Sequence, residues 1–158
     1  FGISGRWYLS PSLEHQIFPD NLPPAIVEGM VGVAPAAGAD AALFAQRFAD
    51  RWYGEQPTVG AHFYFDALVL WALAAEASLM PDGTIAPEQL RMQLRRVSGP
   101  EGERVSWSEL GRAMELVRAE TDIDLAGASG AVDLDEWGEP KEVPTRLWSI
   151  SGGRIVHP

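Results

Sequence analysis

The chain has no cysteine among its 158 residues. That removes disulfide bridges, thiolate chemistry and Cys-ligated zinc together. It leaves the compartment open, because an exported protein can fold without bridges. Positive charge is scarce: 12 Lys and Arg stand against 22 Asp and Glu, for a formal net charge of -10. A net acidic surface repels nucleic acid and anionic lipid, so neither is an expected partner. No apolar run approaches a membrane span; the longest, Ala67 to Ala75, stops at Glu76. A secretory leader is missing too, since the chain opens at Phe1 with no basic segment and apolar stretch behind it. Mature exported proteins begin that way, and so do excised fragments.

What is present suits a folded α/β domain. The chain is 46% hydrophobic, with six Trp and six Phe as large packing units. Phe1-Gly2-Ile3 reads as a strand end running into the loop Ser4-Gly5-Arg6-Trp7-Tyr8, and Ser10-Pro11 as the start of a short helix. Ile26 to Val33 is a β-rich run closed by Pro35, and Ala36-Ala37-Gly38-Ala39 has the composition of a linker or hinge. Asp40 is placed to cap a helix on which Phe44, Phe48 and Trp52 share a face, with Gly54 beyond its end. Ala61 to Met80 is apolar almost all round and is expected to be a buried helix. Pro87 opens another helix, striped by Leu90, Leu94 and Val97. Ser106 and Glu109 have capping-box spacing ahead of a last helix carrying Leu110, Met114 and Val117. Strands are then expected at Ala131 to Leu134, Val143 to Ile150 and from Arg154 onward.

Three patterns invite an enzymatic reading, and each has a blander one. Gly127-Ala128-Ser129-Gly130-Ala131 nearly matches a nucleophile elbow, but Ala131 stands where glycine is needed and no strand-to-helix context follows. Gly127 and Gly130 are expected to serve conformation, and Ser129→Ala to leave ligand binding unchanged. Asp133-Leu134-Asp135-Glu136-Trp137-Gly138 begins like a calcium loop, yet Trp137 and Pro144 fall where oxygen ligands are required. A solvated hairpin turn fits it better. His15, His62 and His157 are scattered without zinc-site spacing. No catalytic residue, metal site or cofactor is expected.

Two stretches carry a family resemblance. Arg47-Phe48-Ala49-Asp50-Arg51-Trp52-Tyr53-Gly54-Glu55-Gln56-Pro57, followed by Phe63-Tyr64-Phe65-Asp66-Ala67, resembles the aromatic helix, Gly-x-x-Pro and aromatic-Asp-Ala motif of leucine/isoleucine/valine-type periplasmic solute-binding proteins. Asp122 to Asp135 with Gly138, and then Leu147-Trp148-Ser149-Ile150, Gly152-Gly153 and Arg154-Ile155-Val156, are similar to that family's final crossover and ending. The resemblance implies the type I periplasmic-binding-protein fold, two Rossmann-like lobes joined by hinge crossovers, of which this chain holds the C-terminal portion. It places residues 1–34 at the end of the second lobe's main segment, 35–41 in a hinge crossover and 42–125 among the first lobe's returning helices. Residues 126–130 form a second crossover, and 131–158 the second lobe's terminal strands. Phe44, Phe48, Trp52 and Trp71 would then face strands that this chain lacks, exposing apolar patches. The upstream half of the protein, or a neighbouring chain, would have to complete the fold.

The function implied is an extracytoplasmic receptor delivering a small ligand, an amino acid or related organic carboxylate, to the membrane permease of an ATP-driven (ABC) importer. A sensory ligand-binding domain of the same fold, or part of an α/β enzyme with catalytic residues upstream, stays open beside it. Ligands of α/β sheets bind beyond strand C-termini and near helix N-termini. That rule selects two loops: Ser4, Gly5, Arg6, Trp7 and Tyr8 after the opening strand, and Tyr64, Phe65 and Asp66 at the buried helix. Ser4 stands where the family often has an acid for the ligand's ammonium, so Asp66 is a candidate for that charge, with helix N-cap as its structural alternative. Arg6 suits a carboxylate, and Trp7, Tyr8 and Phe65 suit an apolar body. An organic acid is therefore expected to be preferred over its amino analogue.

Overall fold

Proline sets the local structure of the opening stretch. Pro11 begins a single 3-10 turn, Pro11–Leu13, and Pro24 starts a one-turn helix, positions where its missing N–H leaves no bond unmade. The computed structural model describes residues 5–36 and 38–158. Along them run β1 (Tyr8–Leu9), α1 (Ile17–Asp20), α2 (Pro24–Val27), β2 (Val31–Pro35), α3 (Ala41–Arg51), α4 (Ala61–Ala77) and α5 (Pro87–Arg96). There follow β3 (Glu103–Ser106), α6 (Leu110–Arg118), β4 (Ile123–Gly127), β5 (Gly130–Ala131), β6 (Thr145–Ser151) and β7 (Arg154–Val156). The result is a mixed α/β architecture with two sheets, divided into two compact units.

Unit one comprises Phe1–Ala36 and Val143–Pro158. Its sheet has the order β1-β2-β6-β7, with β1 parallel to β2 and the other pairs antiparallel. Trp148 on β6 is fully buried with Val27, Ala34 and Ile150. Its register partner is Gly32, and a Cβ there would lie 2.2 Å from the Trp148 ring. The glycine is what lets the indole lie across β2. Beneath the sheet, the buried Glu14 carboxylate accepts from Arg146 at 2.7 Å. The β-rich run is strand only from Val31, and that strand continues past it to Pro35; Gly29, at φ 77, separates it from helix α2.

Unit two is Ala37–Glu142. Here β3 runs parallel to β4, and β5 folds back antiparallel on β4. Helix α6 joins the parallel pair, and α4 and α5 pack with it over one core: Leu70 and Leu73 from α4, Val105, Ala113, Val117, Ile123 and Leu125. Strand β4 is buried along most of its length, so its Asp124 is held by Arg104 at 3.1 Å.

Several local expectations change. Strands β3 and β4 replace an expected helix-only segment, and of Ala131 to Leu134 only Ala131 pairs as strand. The Ser106–Glu109 box is half made: Glu109 accepts from the Ser106 amide at 3.2 Å, while the Ser106 hydroxyl bonds to residue 108. Residues 126–130 form the tight link between β4 and β5 inside unit two, and the chain re-enters unit one at Val143. Asp135 closes the 133–138 turn by accepting from the Trp137 and Glu139 amides at 2.8 and 2.9 Å. The Glu139 amide, foremost, holds its carboxyl below the usual aspartate range.

Candidate functional site

Helix α4 starts after Gly60, whose left-handed φ of 82 turns the chain into it. Consecutive helical residues point about 100° apart, so Tyr64, Phe65 and Asp66 face three directions. Tyr64 is exposed, Phe65 half-buried and Asp66 only 2% exposed. Each meets different chemistry.

Phe65 completes an aromatic cluster. Its ring centroid lies 5.4 Å from that of Phe44 and 5.8 Å from that of Trp107, and Phe44 and Trp107 are 5.7 Å apart, all edge-on. Such tilted contacts match the positive edge of one ring to the negative face of another. Phe48 and Trp52 extend the row along α3 through contacts of 6.3 and 6.2 Å. Phe44 is buried, so this helix finds its partners within unit two, contrary to the expectation that it would face missing strands; Trp52 and Trp71 do remain exposed. Between α3 and α4 lies an open groove of about 490 Å³, walled by Phe48, Trp52, Tyr64, Phe65, Leu68 and Trp107. Arg47 lies over the Trp107 ring at 5.3 Å and Arg51 over Trp52 at 5.1 Å.

Asp66 does something else. Its Oδ1 accepts from the Ala128 amide at 2.8 Å, and its Oδ2 accepts from the Ser129 amide at 2.7 Å and the Ser129 hydroxyl at 2.6 Å. Gly127 makes room: a Cβ there would lie 2.4 Å from Asp66 Oδ2. On the other side Gly38 packs so closely that its own Cβ would lie 2.6 Å from the Ser129 backbone. Asp66 is thus neither an N-cap nor a free anion; it clamps the 127–130 turn. The capping position belongs to Gly60, and Asp40, expected to cap α3 with its side chain, accepts instead from Trp107 Nε1 at 3.2 Å. Ser129→Ala removes one of the three clamp bonds and should lower stability by about 1.5 kcal/mol, as for a hydrogen bond to a charged group. Urea unfolding monitored by circular dichroism measures this; an unchanged midpoint would show that the hydroxyl contributes nothing.

The other predicted residues lie in unit one. Ser4 is outside the described residues. Gly5, Arg6, Trp7 and Tyr8 are all exposed, Tyr8 within β1. Among the described residues no group of three or more His, Asp and Glu could hold a metal ion, and no helix is long and apolar enough to cross a membrane. Sequence reasoning saw the α3 aromatic row as a packing face and missed its guanidiniums as groove walls. Ser129 stood out only for its elbow-like glycines, and neither it nor Trp107 signalled its true partner, because Asp66 and Asp40 are distant in the chain.

These two units have the fold of part of a type I periplasmic binding protein. The chain superposes on the crystal structure of a leucine-binding protein, LivK, from Thermotoga maritima with a TM-score of 0.60 at 16% sequence identity. The match covers 99% of this chain and 37% of LivK, so the chain spans little more than a third of the protein it resembles. No protein-family model matches the sequence, nor does any curated protein.

Proposed function

We propose that this chain is the C-terminal portion of an extracytoplasmic solute receptor, which binds a small organic ligand between two lobes and serves the permease of an ABC importer. The observation that carries this reading is the fold match over 99% of the chain to a binding protein. On it, unit one belongs to one lobe and unit two to the other, and the passages near residues 36 and 142 are the hinge crossovers. Helix α4 supports the need for completion. It is apolar all round, yet Tyr64, Leu68 and Trp71 are exposed along one face, as expected of a helix whose remaining cover lies elsewhere in the fold.

The ligand set proposed is Ser4, Gly5, Arg6, Trp7 and Tyr8 with Tyr64 and Phe65. Asp66 leaves it as a direct contact, since Ala128 and Ser129 occupy both its oxygens. Leucine is the ligand that LivK's name carries. In this chain Ser4 stands in place of an acid and Asp66 is committed, so an ammonium lacks a carboxylate partner. A carboxylate without an amino group is the better ligand.

Two titrations test this. Calorimetry of the chain by itself with leucine, isoleucine and valine should show no binding in the micromolar range. A thermal-shift panel on the protein with both lobes complete should show stabilisation by apolar carboxylates above the matching amino acids. Stabilisation by the three amino acids only would overturn the ligand assignment, and no stabilisation by either class would overturn the receptor reading.

A further inference from the structure

We propose that Glu14, Arg146 and His157 form a proton-operated latch in unit one, in which His157 exchanges Arg146 for Glu14 when its ring is protonated. Three separate stretches of chain meet there: the loop after the 3-10 turn, strand β6 and the residue that follows β7. The Glu14 side chain is only 5% exposed, and its Oε1 accepts from Arg146 Nη2 at 2.7 Å. Its Oε2 is buried and, among the described residues, meets no hydrogen-bond partner. A buried carboxylate oxygen left unmatched is costly, so a donor that reaches it is stabilising. All three residues belong to unit one, and the inference is independent of the receptor reading.

Hydrogen-bond chemistry supplies the two arrangements. Arg146 Nη1 lies 2.6 Å from His157 Nδ1 and 3.3 Å from Nε2. A guanidinium only donates, so the neutral imidazole accepts at Nδ1 and carries its proton on Nε2. A second ring proton sets an N–H against the Arg146 donor and places two cations side by side. Glu14 Oε1 is 3.6 Å from that same Nδ1, and the half-exposed ring turns from Arg146 to the unmatched Oε2. The Arg146–Glu14 pair survives the exchange through Oε1. Residue 157 is thereby drawn to the loop that already grips β7, where the Gln16 side chain donates to the Gly153 carbonyl at 3.0 Å and accepts from the Ile155 amide at 3.3 Å. Acid therefore tightens the loop against β7. The neighbouring ionisable groups are engaged elsewhere: exposed His15 accepts from the Ile17 amide at 3.2 Å, Asp20 from Gln16 at 2.9 Å and Glu28 from the Gly152 amide at 3.1 Å. Among the described residues neither these nor Arg154 forms an ion pair with the three latch residues.

The test is NMR spectroscopy of this chain between about pH 8 and about pH 5, the range in which histidine side chains change charge. On acidification the His157 Nδ1–H should appear as a slowly exchanging downfield proton. Protection of the Ile155 amide, corrected for the intrinsic exchange rate, should rise about tenfold, in keeping with a hydrogen bond between charged groups. His157→Gln should lose both changes, and His15→Gln should keep them. His157→Lys, a fixed cation, should show the high protection at both ends of the range. Glu14→Gln, which keeps an oxygen for Arg146 but removes the charge, should lose the Nδ1–H signal and the response of Ile155. The two His157 variants leave the Glu14–Arg146 pair in place, so they decide the matter even where Glu14→Gln does not fold. Protection of Ile155 that ignores pH, a response that survives in His157→Gln, or low protection in His157→Lys would each overturn the latch.

Discussion

Asp66→Ala is expected to destabilise unit two by about 3 kcal/mol, because it leaves a buried amide and a part-buried one without acceptors, each costing about 1–3 kcal/mol. Ala128 is fully buried, and its N–H loses its acceptor when the carboxylate is removed. Ser129 loses the acceptor of both its amide and its hydroxyl. Asp66→Asn should cost less, since the amide oxygen still serves one N–H, but its NH2 then confronts another donor. The order of stability is therefore wild type, Ser129→Ala, Asp66→Asn, Asp66→Ala. Urea unfolding gives the free energies, and hydrogen exchange at Ala128 and Ser129 locates the damage: both amides should exchange much faster in Asp66→Ala. A loss below about 1 kcal/mol, the worth of one ordinary hydrogen bond, with slow exchange retained, would show that the turn does not depend on the clamp.

The second large effect belongs to unit one. Trp148→Ala empties the centre of its core and should cost about 3–5 kcal/mol, the usual range for removing a buried aromatic side chain. Trp148 is 0% exposed, and among the described residues its Nε1 meets no hydrogen-bond partner, so the expected loss is one of packing. Gly32→Ala attacks the same contact from the other strand, by placing a methyl 2.2 Å from the ring. Overpacking of this kind costs about 1–3 kcal/mol. The two changes share one volume, so their effects should not add: Gly32→Ala combined with Trp148→Ala should be less destabilised than the sum of the singles. Strict additivity would mean that the glycine is there for some reason other than the indole.

The sequence conveyed the helices more fully than the strands. Proline at the start of α5, the aromatic spacing on α3 and the continuous apolar run of α4 are local signals, and all three helices form where those signals lie. Strand β3 has no comparable mark. Glu103-Arg104-Val105-Ser106 buries only Val105, because the strand is paired on one side and carries ion pairs outward. The small residues of 126–130 have the composition of a linker, and their size also lets Asp66 and Gly38 approach them. Asp66 lies 62 residues from Ala128, and no spacing rule links positions so far apart. Its neighbours Tyr64 and Phe65 were legible as site candidates through their motif.

The split make-up of unit one has a consequence for how the molecule comes into being. Strand β6 sits between β2 and β7, and both belong to a sheet begun by the earliest strand. Unit two, an uninterrupted stretch from Ala37 to Glu142, is inserted between the two segments that supply that sheet. Pairing across such a separation carries a loop-closure cost that unit two reduces by bringing its own ends into a compact body. The inserted unit then acts as an internal splint that holds β2 and β6 in reach of one another, so the sheet around Trp148 depends on a body that contributes no strand to it.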